Sequence, residues 1–101
     1  MANSPIYNLI FSSRAQKEVT ESWNWYEDRQ QGLGDRFLKE LTECIHIIEQ
    51  TPTRYPTRFK SYKETPVPVF PFLIIYRIQE RKKLIRIVSV FHTFRNPKKK
   101  Y

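Results

Sequence analysis

His92 and Arg95 stand three positions apart near the end of the chain, in the run His92-Thr93-Phe94-Arg95-Asn96-Pro97. A histidine titrates near neutrality and can give or take a proton. An arginine beside it offers a fixed cation to a phosphate or carboxylate. Metal-free cleavage of RNA asks for groups of this kind: a base for the ribose 2′-hydroxyl, cations for charge on the phosphate, and an acid for the leaving oxygen. Arg77, Arg86 and Lys63 are candidates for phosphate contact, and Lys98-Lys99-Lys100-Tyr101 closes the chain with three cations and an aromatic ring. Each has a structural alternative. His92 can be a strand-end histidine bonded to backbone, Arg95 half of a surface ion pair, and the lysine run a solvated tail. His46 reads as a partly exposed helical histidine and Cys44 as a small apolar core residue. There is no metal-ligand spacing, no glycine-rich phosphate loop and no serine nucleophile motif, so no metal or cofactor is expected.

These residues need a scaffold, and the stretch that carries them is Phe70 to Ile78 answered by Leu84 to Phe91. Both runs are rich in β-branched and aromatic residues, with a charged segment from Gln79 to Lys83 between them, which reads as a β-hairpin. Alternation puts Phe72, Ile74, Tyr76 and Ile78 on one face of the first run, and Ile85, Ile87, Ser89 and Phe91 on one face of the second. Leu73, Ile75 and Arg77 take the other face of the first run, and Leu84, Arg86, Val88 and Val90 the other face of the second, so Arg77 and Arg86 each lie on one particular side. Such a hairpin suits the centre of a sheet covered by helices on one side and partly open on the other.

The preceding chain supplies the cover. Ile6 to Phe11 alternates as a short strand, and Ser13 with Gln16 has capping-box spacing at a helix start. Ala15, Val19, Trp23 and Tyr26 recur at helical spacing, with Trp25 off the stripe as a wider buried face or an exposed contact. Gly32 is placed to end this helix in a left-handed conformation, and Gly34-Asp35 begins the next. Leu38, Leu41, Ile45 and Ile48 form a second stripe flanked by Phe37, Cys44 and Ile47. Thr51-Pro52 stops it. Residues 53–68 read as irregular, with Tyr62 to Thr65 a short strand held to an edge by the neighbouring prolines. The expected fold is a two-layer α+β domain over residues 1–101: an N-terminal strand, an antiparallel helical hairpin, then a mainly antiparallel sheet, with residues 96–101 as a basic tail.

Charge is segregated along this order. The chain has 101 residues and a formal net charge of +8. Residues 1–53 carry five basic against eight acidic groups, a balance of −3, and residues 54–101 carry thirteen against two, a balance of +11. A field so polarised attracts an anionic partner, either nucleic acid or an acidic protein segment. No apolar run approaches the roughly 20 residues that span a bilayer. The first residues lack the pattern of a secretory signal, and one cysteine forms no internal disulfide, so a cytoplasmic location is expected.

In this order the chain resembles the RelE/ParE toxin superfamily of bacterial type II toxin–antitoxin modules, the plasmid-stabilisation type. The resemblance covers nearly the whole chain. It rests on Trp25-Tyr26 with Gly32-Leu33-Gly34-Asp35-Arg36-Phe37, on Thr51-Pro52 to Tyr55-Pro56, on Phe70-Pro71-Phe72-Leu73-Ile74-Ile75-Tyr76, and on His92-Thr93-Phe94-Arg95-Asn96-Pro97. It implies a growth inhibitor neutralised by a cognate antitoxin, whose acidic segment the basic sheet face would receive. It also implies one of two targets. RelE-like members cleave messenger RNA in the ribosomal A site, and ParE-like members act on DNA gyrase. RelE-like enzymes usually carry a basic residue where Leu73 stands and an arginine near Thr93, which tilts the expectation toward ParE-like action. In the nuclease alternative His92, Arg95 and Arg77 would be catalytic. Lys63, Arg86, Lys98, Lys99, Lys100 and Tyr101 would bind nucleic acid or antitoxin. A third alternative is a non-toxic nucleic-acid-binding module.

Overall fold

The hairpin forms as its residues dictate, and the rest of the chain packs around it. The computed structural model describes residues 7–95, 98, 100 and 101. Strand β1 (Asn8–Phe11) leads into helix α1 (Ser13–Arg29) and helix α2 (Leu33–Gln50). Strands β2 (Thr57–Phe59), β3 (Tyr62–Pro66), β4 (Phe72–Gln79) and β5 (Leu84–His92) follow, with one 3₁₀ turn at Glu80–Lys82 between the last two. The sheet order is β1-β5-β4-β3-β2. β1 runs parallel to β5, and the other neighbours are antiparallel. This is the expected α+β fold, with its first and last strands side by side.

Helices cover one face. Ala15 and Tyr26 of α1 and Phe37, Leu41, Cys44, Ile45 and Ile48 of α2 share a core with Phe72, Ile74, Tyr76, Ile85, Ile87 and Val90. Burying each large apolar side chain contributes about 1.5–3 kcal/mol, so this layer dominates the stability. Its centre is aromatic: Tyr26, Phe37, Phe70 and Phe72 meet with ring centroids 5.0–6.3 Å apart. The α2 stripe is therefore centred on Phe37, which is fully buried, while Leu38 is only half-buried and Ile47 is exposed. Tyr76, fully buried, donates its hydroxyl to the carbonyl of Pro52 at 2.8 Å. Burial pushes that phenol up to about 12.

The helical hairpin is fixed by contacts that stripes do not reveal. Gly32 adopts φ +88° in the link, the left-handed conformation that glycine tolerates best. α2 has no side-chain cap of its own. Instead the Glu27 carboxylate of α1 accepts from the backbone N–H groups of Gly32 (3.1 Å), Gly34 (2.8 Å) and Asp35 (3.3 Å). It thus satisfies donors that a helix start leaves unpaired. Gly34 is buried, and a Cβ there would lie 2.7 Å from the Trp23 carbonyl oxygen. At the start of α1 the capping residue is Ser12, not Ser13: its Oγ accepts from Ala15 N at 3.0 Å, and Gln16 Nε2 turns instead to the Phe11 carbonyl.

Two expectations on the sheet need correction. β3 is not at an edge, because β2 adds a further strand outside it; Pro66 sits at the last position of β3, where the ladder is ending. Ile6, read as the start of β1, lies outside the described residues. The alternation in β5 also breaks. Ile75 faces Ser89 while Tyr76 faces Ile87, so Val88 is an extra residue, a β-bulge. Beyond it Val90 faces Ile74 and enters the helix-side core, whereas Phe91 faces Leu73 and is buried outside that core.

Candidate functional site

The bulge decides where His92 points. It pairs with Phe72, and the two rings meet edge to face at 4.9 Å on the helix side of the sheet. Glu18 of α1 secures this part of the strand. Its Oε1 accepts from Ser89 Oγ at 2.7 Å and from Val90 N at 3.0 Å, while its other oxygen meets Arg14 at 3.3 Å. Ser12 Oγ donates to the Val88 carbonyl at 2.7 Å. A carboxylate from α1 and the hydroxyl of its capping residue thus take over backbone pairing along the part of β5 beyond Ile87, where the pairing with β1 ends.

A cleft of about 360 Å³ opens between α1 and the end of β5. Tyr26, Phe72, Val90 and Trp25 give it an apolar wall, and Glu21, His92 and Arg95 are among its polar groups. Inside it His92 Nδ1 accepts from the backbone N–H of Phe94 at 3.2 Å. A ring nitrogen that accepts carries no proton, so the neutral ring is protonated on Nε2. Burial, with the Arg95 guanidinium adding to it, pulls the His92 pKa below its ordinary value. The strand then turns sharply, with Arg95 N donating to the His92 carbonyl at 3.0 Å. Thr93 is tied to the Pro71 carbonyl through its N–H at 2.8 Å and its hydroxyl at 3.2 Å. Three large apolar side chains are exposed around this end: Trp25, stacked under Arg29 at 4.3 Å, Phe94 and Val69. Val69 holds φ +72°, a strained conformation for a β-branched residue.

The other candidates lie elsewhere. Arg77 is five residues along β4 from Phe72, about 17 Å at strand rise, and by alternation it faces away from the helices. It stands directly opposite Arg86. So of the three proposed catalytic residues the fold brings His92 and Arg95 together and leaves Arg77 apart. Lys63 donates to the Tyr55 carbonyl at 2.8 Å. Lys100 pairs with Glu64 at 2.8 Å, and Tyr101 donates its hydroxyl to the same carboxylate. The Tyr101 ring lies against Phe59 at 4.7 Å and Tyr62 at 5.1 Å. Lys98 is exposed, and Lys99 lies outside the described residues, as do Asn96 and Pro97. Among the described residues no group of three metal-capable side chains assembles. Cys44 is a buried thiol whose pKa is raised by burial and then by Glu40 and Glu43.

Residues 9–97 match the family described as "ParE toxin of type II toxin-antitoxin system, parDE". The chain belongs to the ParE toxin family. A solved structure titled "Chromosomal ParDE TA system from P. aeruginosa" shares this ParE-like fold, with a TM-score of 0.74 over 88% of this chain and 98% of that one at 14% identity. A comparison with curated proteins finds no match. The chain is thus a toxin of the type II toxin–antitoxin class, and no described helix is long and apolar enough to cross a membrane. In this ParE-type chain Glu18 and Phe59 are the site-region residues that sequence reasoning missed. Nothing local marks the role of Glu18, whose partners on β5 lie over 70 positions away. Phe59 did carry a signal, an aromatic ring set between Arg58 and Lys60.

Proposed function

We propose that this chain arrests bacterial growth in the ParE manner, by acting on DNA gyrase in the cytoplasm, and that an antitoxin with an acidic segment neutralises it. The observation that carries the reading is the separation of the candidate nuclease groups. A phosphoryl-transfer site works by converging cations and a proton carrier on one phosphate. Here Arg77 and Arg86 stand on one face of the sheet and His92 on the other. Leu73 and Thr93 occupy the positions where the RelE-like pattern has cations. The histidine is held with its pKa depressed beside Phe72 and Phe94, which favours a neutral ring over an imidazolium acid. The antitoxin part of the reading is supported by family membership and by the balance of +11 on residues 54–101, which draws an acidic segment.

Expression of the chain alone is expected to slow growth, and co-expression of a short acidic-tailed partner from the adjoining reading frame to restore it. The purified chain is expected to inhibit supercoiling by gyrase, while primer extension finds ribosome-bound messenger RNA uncut. Cleavage at A-site codons that disappears in His92→Ala and Arg95→Ala would replace the gyrase reading with the nuclease one.

A further inference from the structure

The sheet face turned away from the helices carries a second feature, made from residues of four strands. Arg86 of β5 is the register partner of Arg77 of β4. Lys63 of β3 pairs with Tyr76, so Tyr62 falls beside Arg77, and Phe59 of β2 pairs with Tyr62. The order Arg86, Arg77, Tyr62, Phe59 is therefore one row across the sheet, about 14 Å long at ordinary strand spacing. Tyr101 lies on the aromatic end of that row, against Phe59 at 4.7 Å and Tyr62 at 5.1 Å.

Two like charges set directly opposite each other in a sheet are unfavourable. No carboxylate among the described residues forms an ion pair with Arg77 or Arg86. Glu64, which shares their face through its pairing with Ile75, is already taken by Lys100 and Tyr101. The cation pair thus lacks an anion. At the other end Phe59 is 44% exposed and Tyr101 38% exposed. Both rings have ammonium groups nearby: Lys60 at 5.3 Å from Phe59 and Lys100 at 5.5 Å from Tyr101. Cations that want phosphate beside partly exposed aromatic residues are what single-stranded nucleic acid recognises: phosphates meet the cations and bases stack on the rings. An acidic peptide would use the arginines alone and gain nothing from the rings.

We infer that this face binds single-stranded nucleic acid, with phosphates on Arg77 and Arg86 and a base on the Phe59–Tyr101 platform. The site is separate from the α1–β5 cleft and goes beyond action on a protein target. It binds without cutting, since no proton carrier joins the row.

The test is fluorescence anisotropy of the full chain with a labelled oligothymidylate of about 12 nucleotides, within the span such surfaces cover. Binding is measured against salt for the wild type and for Phe59→Ala, Phe59→Leu, Arg77→Gln, Arg86→Gln and Lys39→Gln. Lys39, exposed on α2, makes the last a charge-matched control. Phe59→Ala is expected to weaken binding at least tenfold with the salt slope unchanged. Phe59→Leu, which keeps β2 packed, is expected to do the same. Arg77→Gln and Arg86→Gln should each lower the slope by about 0.7, the value for one single-strand phosphate contact. Lys39→Gln should leave affinity and slope as they were. The inference is overturned if Lys39→Gln weakens binding as much as Arg77→Gln, for net charge alone then explains it. It is equally overturned if both Phe59 variants bind like the wild type while polyglutamate competes as well as the oligonucleotide, for the face then takes acidic peptides.

Discussion

Two side chains, half-buried His92 and buried Tyr76, are each bonded to backbone, and each gives a measurable consequence. His92 has a pKa below its ordinary value because burial and Arg95 disfavour the imidazolium. The folded chain therefore binds fewer protons than the unfolded chain as the medium becomes acid. The stability this contributes is whole above the unfolded pKa of 6.5 and is lost as pH falls through that value toward the folded pKa. Urea midpoints for the wild type should drop between about pH 8 and about pH 5, and His92→Gln should remove that share of the drop. A drop of equal size in the variant would assign the effect to other groups. Tyr76 is the second case. Its hydroxyl is the side-chain donor to the Pro52 carbonyl, at a position where the chain leaves α2. Tyr76→Phe keeps the ring and strands that carbonyl, so it should cost about 1–2 kcal/mol in equilibrium denaturation with the fold unchanged.

At the scale of elements, the helical hairpin is held by a carboxylate and a glycine rather than by its stripes alone. Glu27→Ala removes the acceptor for three N–H groups at the start of α2. A loss of about 1–2 kcal/mol is expected, in the range of a lost helix cap. Gly34→Ala drives a methyl group into Trp23, with the nearest backbone oxygen at 2.7 Å, so α1 and α2 must separate. Overpacking of this kind costs about 1–3 kcal/mol. Both are read from thermal unfolding followed by circular dichroism. If Gly34→Ala unfolds like the wild type, the close approach of the helices is not a constraint. The glycine pair was visible in the sequence because turn chemistry is local, and so were the two helices and the hairpin, since periodicity writes them. What local pattern did not write was the bulge at Val88. A run of alternating apolar residues reads the same with or without an extra residue, and the choice is made by Glu18 and Ser12 from another element. The direction of His92 was hidden for that reason, although the residue itself was in view. β2 was hidden too, because three exposed residues among prolines carry no periodicity, and the strand exists only through its pairing with β3.

For the molecule as a whole, the ends of the chain are what finish the sheet. β1 pairs with β5 across some 76 positions, Asn8 facing Leu84 and Phe11 facing Ile87. At the opposite edge β2 has only three residues, all exposed, and is paired on one side, to β3. Residues 100 and 101 lie back across it. Tyr101 contacts rings of both β2 and β3, and Lys100 and Tyr101 share Glu64, one of two acidic groups in the basic half of the chain. Ring pairs are worth about 0.5–1.5 kcal/mol each beyond burial. An ion pair this near the surface adds about 1 kcal/mol or less. Removing residues 100 and 101 should therefore lower global stability by about 1–2 kcal/mol, less than the sum, because Phe59 and Tyr62 can settle against each other. The sharper effect should be local. Amide hydrogens of Thr57–Phe59 and Tyr62–Pro66 should lose protection before those of β4 and β5, since an edge that has lost its cover opens on its own. The helix-side core is untouched by the deletion, so protection in α2 should stay as it was. Uniform loss of protection across all five strands would mean instead that the sheet opens as one unit and that the closing residues support the whole of it.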